Sequence, residues 1–259
     1  MRECAPKARV ERRVRRRQAP FAFFVFFVAK HEPGRSAALQ AAKRRPRLAK
    51  PKVSGAAGLT GAVLSASARL MAEPSSNGVH VRPDFLPFPA LLKLLAGLDR
   101  LSANWASSQA LGLLGRGHTS QIRVTDIAVQ SQLDEIGRAL APAALQWARR
   151  CGFWFSDAAP VQLFPVRMIG DAQTPAYQDP HVDSYAGQAN PPICTNVFYA
   201  RTQAIEGGGL AVARSELDLN NPIVIHPTAN TMVTFAGDRV HWVQPLYAGE
   251  RLSLVIDFY

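Results

Sequence analysis

The closing stretch DRVHWVQPLYAGERLSLVIDFY (Asp238–Tyr259) decides how this chain folds. It holds two short β-rich runs, VHWVQPL (Val240–Leu246) and RLSLVIDFY (Arg251–Tyr259), with Gly249 between them. His241 opens one predicted strand and Arg251 opens the next. Upstream, from Gly152 onward, the same texture repeats. VQLFPVRMI (Val161–Ile169), CTNVFYA (Cys194–Ala200), GGLAVA (Gly208–Ala213), NPIVIHP (Asn221–Pro227) and TMVTFAG (Thr231–Gly237) are separated by Pro, Gly and Asn. Strands this short and this regular, with turn signals between them, predict a double-sheet roll or barrel. EGGGLAV (Glu206–Val212) predicts a tight glycine turn feeding a strand, since no phosphate-loop pattern accompanies it.

Before Gly152 the period is helical. DFLPFPALLKLLAGLDRL (Asp84–Leu101) puts Leu91, Leu92, Leu94, Leu95 and Leu98 at helix spacing. A second helical stretch runs over Asp126–Phe153, broken or restarted at Pro142. Both leucine stripes are expected to be scaffold core. The fold class is therefore mainly β with flanking helices, α+β. Helical support is expected over 79–152 and the roll over 153–259.

The chain has 259 residues and a formal charge of +11, but the charge is not spread evenly. Residues 1–70 hold 17 Lys/Arg against 3 Asp/Glu, a net of +14, which leaves the rest at −3. A mildly acidic body offers no basic face for phosphates, so nucleic acid is not an expected partner. The apolar run Phe21–Ala29 is about half the length a membrane-spanning helix needs, so no stable membrane insertion is expected. Residues 1–78 are expected to be a basic, disordered or targeting segment, or an upstream extension with Met71 as the start of the protein proper. Cys4, Cys151 and Cys194 are too few and too scattered for a disulfide framework or a thiolate zinc site. A reducing, cytoplasmic setting fits that usage, with organelle targeting by the basic segment as the alternative.

Three polar residues stand out against the β-rich half. In DPHVDS (Asp179–Ser184), His181 and Asp183 are two apart, and on a strand both would face one point. Six His and eleven Asp give about 0.25 such pairs by chance, so the pair alone is weak. His241 can supply a third ligand. Two imidazoles and one carboxylate leave about three coordination positions free on a metal, which suits ferrous iron that must also bind a bidentate cosubstrate and dioxygen. His31, His80, His118 and His226 lack such company. Arg251 lies in an apolar strand, where a guanidinium is costly to bury without an anion and matches a carboxylate bidentately. The plainer alternative is an edge arginine paired with Glu250 or Asp257. Ser253, two residues on, shares its face and can add a hydroxyl donor.

His181-x-Asp183, His241 and Arg251-x-Ser253, in that order and spacing, resemble the 2-oxoglutarate/Fe(II)-dependent oxygenases, particularly the prolyl 4-hydroxylase-like branch. The closing run is similar to the end of a hypoxia-sensing prolyl hydroxylase domain. The resemblance is close over Val161–Tyr259 and loose from Asp84. It implies a double-stranded β-helix, or jelly roll, preceded by N-terminal helices. It implies Fe(II) held by His181, Asp183 and His241, with 2-oxoglutarate bound through Arg251 and Tyr199, O2 as cosubstrate and ascorbate as a reductant. The implied activity is hydroxylation of a peptide, amino acid or other small molecule with release of succinate and CO2. The carboxylate of Asp183 implies hydroxylation rather than halogenation. One position departs from the pattern: where the family often has a tyrosine before the metal motif, RMIGD (Arg167–Asp171) has Ile169, and Tyr177 is shifted by one. Three alternatives stand beside the oxygenase: a non-catalytic jelly-roll binding module, a cupin-like metal protein without 2-oxoglutarate, and a membrane-surface or nucleic-acid-associated protein through its basic N-terminal segment. SYAGQANPP (Ser184–Pro192) is expected to be a lid or substrate loop.

Overall fold

A computed structural model of the protein describes residues 77–156, 161–184, 190–214 and 218–259. The expectations for the basic segment up to residue 76, for Met71 and for the centre of the Ser184–Pro192 loop lie outside the described residues.

One strand organises the rest. β11 (His241–Phe258) runs 18 residues and takes part in two rows of strands. Its C-terminal half pairs antiparallel with β5 (Val161–Ile169) on one side and β7 (Cys194–Gly207) on the other. Its N-terminal half pairs with β6 (Ala176–His181) and β8 (Leu210–Val212). The sequence predicts two strands here, and the structure has one. The break expected near Gly249 is a bend: Gly249 has φ +81°, and the register with β7 shifts between Ala248 and Glu250. A bulge adds a residue to one strand and turns it while pairing continues on either side. One strand can therefore serve both faces of a jelly roll.

The major row has the order β1-β10-β7-β11-β5-β4-β2, with β1 (Val79–Arg82), β2 (Trp105–Ser107), β4 (Thr119–Ile122) and β10 (Thr231–Ala236). The minor row adds β3 (Gly115–Arg116) to β6 and β9 (Ile223–Ile225) to β8. Every pairing is antiparallel. Four of these strands lie within 79–152, where the sequence predicts helical support alone. Strands of two to four residues complete too few alternations to give a period-2 signal.

Alternation along β11 sorts its side chains. Leu252, Leu254, Ile256 and Phe258 face outward into a core shared with the helices, while Arg251, Ser253 and Val255 face the interior of the roll. α1 (Phe88–Arg100) and α2 (Ile127–Arg150) cover that outer face with Leu94, Leu98, Leu133, Leu140 and Trp147, all buried. Each such side chain taken fully out of water contributes about 1.5–3 kcal/mol. α2 does not break at Pro142. Proline removes one amide from the helix ladder, but Leu133, Ile136, Leu140, Ala144 and Ala148 are buried on both sides of it, and packing carries the helix through. Cys151 and Cys194 are free thiols, the latter buried. No helix among the described residues is long and apolar enough to cross a membrane.

Candidate metal centre

His181 is the last residue of β6 and His241 the first of β11, and the two are direct antiparallel partners. Their ring centroids lie 4.4 Å apart. Asp183 is not on the strand, contrary to expectation. The chain leaves β6 at His181, and Asp183 sits two residues into the irregular segment that follows. Its carboxylate nonetheless reaches between the rings, with Oδ1 3.6 Å from His181 Nε2 and Oδ2 3.4 Å from His241 Nε2. All three ligand atoms lie within 4.8 Å of one another.

Backbone carbonyls orient both rings. His181 Nδ1 lies 2.7 Å from the Asp179 carbonyl and His241 Nδ1 lies 3.0 Å from the Arg239 carbonyl. A carbonyl only accepts, so each Nδ1 carries a hydrogen, and Nε2 is the ring atom left to bind a metal when the imidazole is neutral. The Thr195 hydroxyl, at the start of β7, donates to Asp183 Oδ2 at 3.1 Å. Burial holds His241 down at about 4, more than the Asp183 charge raises it. Burial works against ionising Asp183, yet the charge of His241 and hydrogen bonds from His181 and Thr195 hold it at about 2. His181 feels the same burial, but its bond to Asp183 wins and raises its pKa. An ionised carboxylate beside a neutral imidazole is the donor set a divalent cation needs.

Arg251 lies deeper in the same pocket, 2% exposed. It does not pair with Glu250, which is held on the outer face by Arg167 at 3.2 Å and Arg201 at 3.4 Å. Its Nη1 donates to the Gly208 carbonyl at 3.1 Å, and its guanidinium sits 4.9 Å from the centre of the Tyr199 ring. The glycine turn expected at Glu206–Val212 supplies that carbonyl: Gly207 and Gly208 both have positive φ. Arg251 Nε and the Tyr199 hydroxyl are buried and have no hydrogen-bond partner among the described residues. Ser253 lies on the pocket wall with its hydroxyl 3.5 Å from the Val166 carbonyl, at the outer limit of a hydrogen bond. Tyr199 is not among the residues that line the pocket, and its ring lies against the guanidinium.

The remaining walls are apolar apart from Gln178, and include Phe164, Val166, Val197, Val243 and Val255. Tyr177 is not among them, and its neighbour Gln178 is. Thr195 and Gln178 are site residues that sequence inspection missed. Thr195 shares the parity of Val197 and Tyr199 on β7, which is the signal that could have found it. His118 is exposed 3.8 Å from Asp171, away from the site, as its lack of company predicts.

This donor set fits one divalent ion, with three protein ligand atoms and open space beside them. The orphaned Arg251 Nε and Tyr199 hydroxyl fit a carboxylate-bearing molecule reaching toward that ion. Residues 168–259 match the family model of the 2OG-Fe(II) oxygenase superfamily. No curated protein sequence matches the chain. Among solved structures, a Pseudomonas putida prolyl-4-hydroxylase is similar with a TM-score of 0.50 at 20% identity, over 71% of this chain and 92% of that one. A prolyl hydroxylase from Trichoplax adhaerens, in complex with a hypoxia inducible factor oxygen degradation domain peptide fragment, has a TM-score of 0.52 at 14% identity over 71% and 84%. The epimerase SnoN, in complex with Fe3+, alpha ketoglutarate and nogalamycin RO, has a TM-score of 0.50 at 15% identity over 70% and 78%. At these identities the likeness is one of fold.

Proposed function

We propose that this chain, a 2OG-Fe(II) oxygenase through residues 168–259, hydroxylates an unactivated C–H bond of a peptide, amino acid or other small molecule. The observation that carries this is the sharing of one pocket by the His181–Asp183–His241 set and the buried Arg251. A metal-binding module alone gives no reason to bury a guanidinium, whose desolvation costs several kcal/mol unless an anion answers it. A cupin-like protein without 2-oxoglutarate leaves Arg251 equally unexplained.

When bound, Fe(II) and 2-oxoglutarate supply oxidising power from O2, with release of succinate and CO2 and transfer of one oxygen atom to the substrate. The protein's part is placement. His181 and His241 present Nε2 with the lone pair free, and Asp183 adds a charged oxygen held by Thr195. Arg251 offers its Nε to the distal carboxylate of 2-oxoglutarate, and the Tyr199 hydroxyl and Ser253 add neutral donors. Phe164, Val166, Val197 and Val255 keep water out, which strengthens each of these interactions.

The substrate is not fixed by the fold, which serves many chemistries. The test is to incubate iron-loaded protein with 2-oxoglutarate, ascorbate and pooled cell extract under air. Succinate should accumulate together with extract components that gain the mass of one oxygen atom. No succinate above that formed by the metal-free protein would defeat the proposal.

A further inference from the structure

We infer that the outer face of β11 carries a second ligand site, a cavity that takes a small zwitterionic α-amino acid. The cavity measures about 120 Å3 and lies between the C-terminal end of α1 and the major row of strands. Leu252 of β11 lines it together with its two direct strand partners, Arg167 on β5 and Arg201 on β7. Leu98 and Asp99 from the last turn of α1, Trp105 of β2 and the exposed Ser102 complete the lining. Leu252 points away from the pocket that its neighbours Arg251 and Ser253 line, so the two sites share a strand but no lining residue. This second site is independent of the oxygenase reading.

Arg201 is under-coordinated there. Its Nη1 lies 3.4 Å from Asp99 Oδ1 and its Nη2 3.4 Å from Glu250 Oε1. Charge-assisted bonds of this kind are normally about 2.7–2.9 Å long. The Arg201 Nε is buried and has no hydrogen-bond partner among the described residues. Two long contacts and one unused donor leave this fork able to take a further carboxylate. Glu250, two residues before Leu252, shows that a single carboxylate can reach both arginines, at 3.2 Å from Arg167 and 3.4 Å from Arg201.

Charge and size select among carboxylates. Arg167 and Arg201 are balanced by Glu250 and Asp99, so a bare anion would leave this half-buried group one charge out of balance, which is costly away from water. A zwitterion keeps the balance. Asp99 meets Arg201 through Oδ1, and its carboxylate is 59% exposed, which leaves Oδ2 for an ammonium. It also sits in the last turn of α1, where the helix dipole favours a cation. Leu98, Leu252 and Trp105 suit a short apolar side chain. A cavity of about 150 Å3 accommodates benzene, so this one has room for about six heavy atoms, the size of alanine.

The test uses the full chain with Mn(II) and 2-oxoglutarate under nitrogen, so that the metal pocket is occupied and nothing turns over. Calorimetric titrations compare L-alanine with propionate, which lacks the ammonium, and with ethylamine, which lacks the carboxylate. L-Alanine should bind with a dissociation constant of about 1 mM or tighter, and each fragment at least about tenfold more weakly. Arg201→Gln removes the fork, and Asp99→Asn removes the charge that answers the ammonium. Each should weaken L-alanine by at least about tenfold. Ser102→Phe leaves every charge in place and fills the cavity from an exposed position; it should abolish binding, and it serves if Arg201→Gln does not fold. Absence of L-alanine binding to wild type overturns the inference, as does either fragment binding within that tenfold. So does L-alanine affinity that stays within tenfold of wild type in any folded variant of the three. Failure of wild type to bind 2-oxoglutarate in the same calorimeter would sink the oxygenase reading instead, and the three outer-face variants would still report on the cavity.

Discussion

Thr195 and Asp183 are joined by a hydrogen bond of 3.1 Å between the hydroxyl and Oδ2, and it bridges the two rows of strands. Asp183 hangs from the irregular segment after β6, whereas Thr195 is fixed in β7 with partners on both sides. The ordered strand therefore orients a ligand that its own segment does not. Thr195→Val, close in shape but without the donor, should weaken Fe(II) affinity by about 10- to 100-fold, the usual range for groups that orient metal ligands. Competition with a chelator of known affinity measures it. Unchanged affinity would mean that Asp183 is held by other means.

Gly249 carries the bend that puts His241 and Arg251 on different rows of strands. With φ +81°, and with any Cβ overlapping the backbone carbonyls of Gln203 and Ala204, it accepts no side chain without a shift of β11 against β7. Gly249→Ala should destabilise the protein by more than about 1 kcal/mol. It should also weaken 2-oxoglutarate binding, because Arg251 follows two residues later. A urea melt and a cosubstrate titration on the same preparation check both. A loss of stability with full cosubstrate affinity would place the strain away from the arginine.

Much of this architecture is legible in the residues, and the exceptions have physical causes. The strands β5, β7, β8, β9 and β10 fall where Pro-, Gly- and Asn-bounded runs predict them. Pairing order does not follow from such runs, because β11 joins two rows through a bulge that the sequence records only as a glycine. α2 passes Pro142 because burial on both flanks outweighs one missing amide, and a local rule cannot sense that. The His–Asp–His set is readable as a spacing, but strand alternation is not what joins it: Asp183 converges from beyond the strand, not along it. Thr195 was invisible as chemistry because a threonine in an apolar strand looks like ordinary β filling.

The N-cap of α2 gives a pH dependence that is independent of the metal centre. The Asp126 carboxylate accepts from the amides of Val129 and Ala128 at 3.0 and 2.9 Å, and these bonds, with one from Thr125, hold its pKa below the usual value. A carboxylate whose pKa is lowered by folding stabilises the native state above its unfolded pKa of about 3.9. That contribution is lost as pH falls through the lower folded value. Asp126→Ala should therefore melt below wild type at neutral pH, and the gap should narrow steadily below about pH 4. Thermal melts by circular dichroism across that range check it. A constant gap would show that the charge of Asp126 contributes nothing.

Arg251→Lys is the substitution that separates fork from charge. The lysine keeps the positive charge but offers an ammonium in place of planar, paired donors, and it cannot reproduce both the bond to the Gly208 carbonyl and the free Nε. Breaking a buried charge pair costs about 3–5 kcal/mol, and retaining charge without the fork should recover only part of it. The expected loss in 2-oxoglutarate affinity is roughly 10² to 10³, with Fe(II) affinity nearly unchanged because Arg251 touches none of the three metal-facing side chains. Titrating 2-oxoglutarate into Mn(II)-loaded protein under nitrogen measures the first, and chelator competition the second. An unchanged affinity for 2-oxoglutarate would remove Arg251 from the cosubstrate site, and with it the main reason for distinguishing this pocket from a plain metal-binding jelly roll.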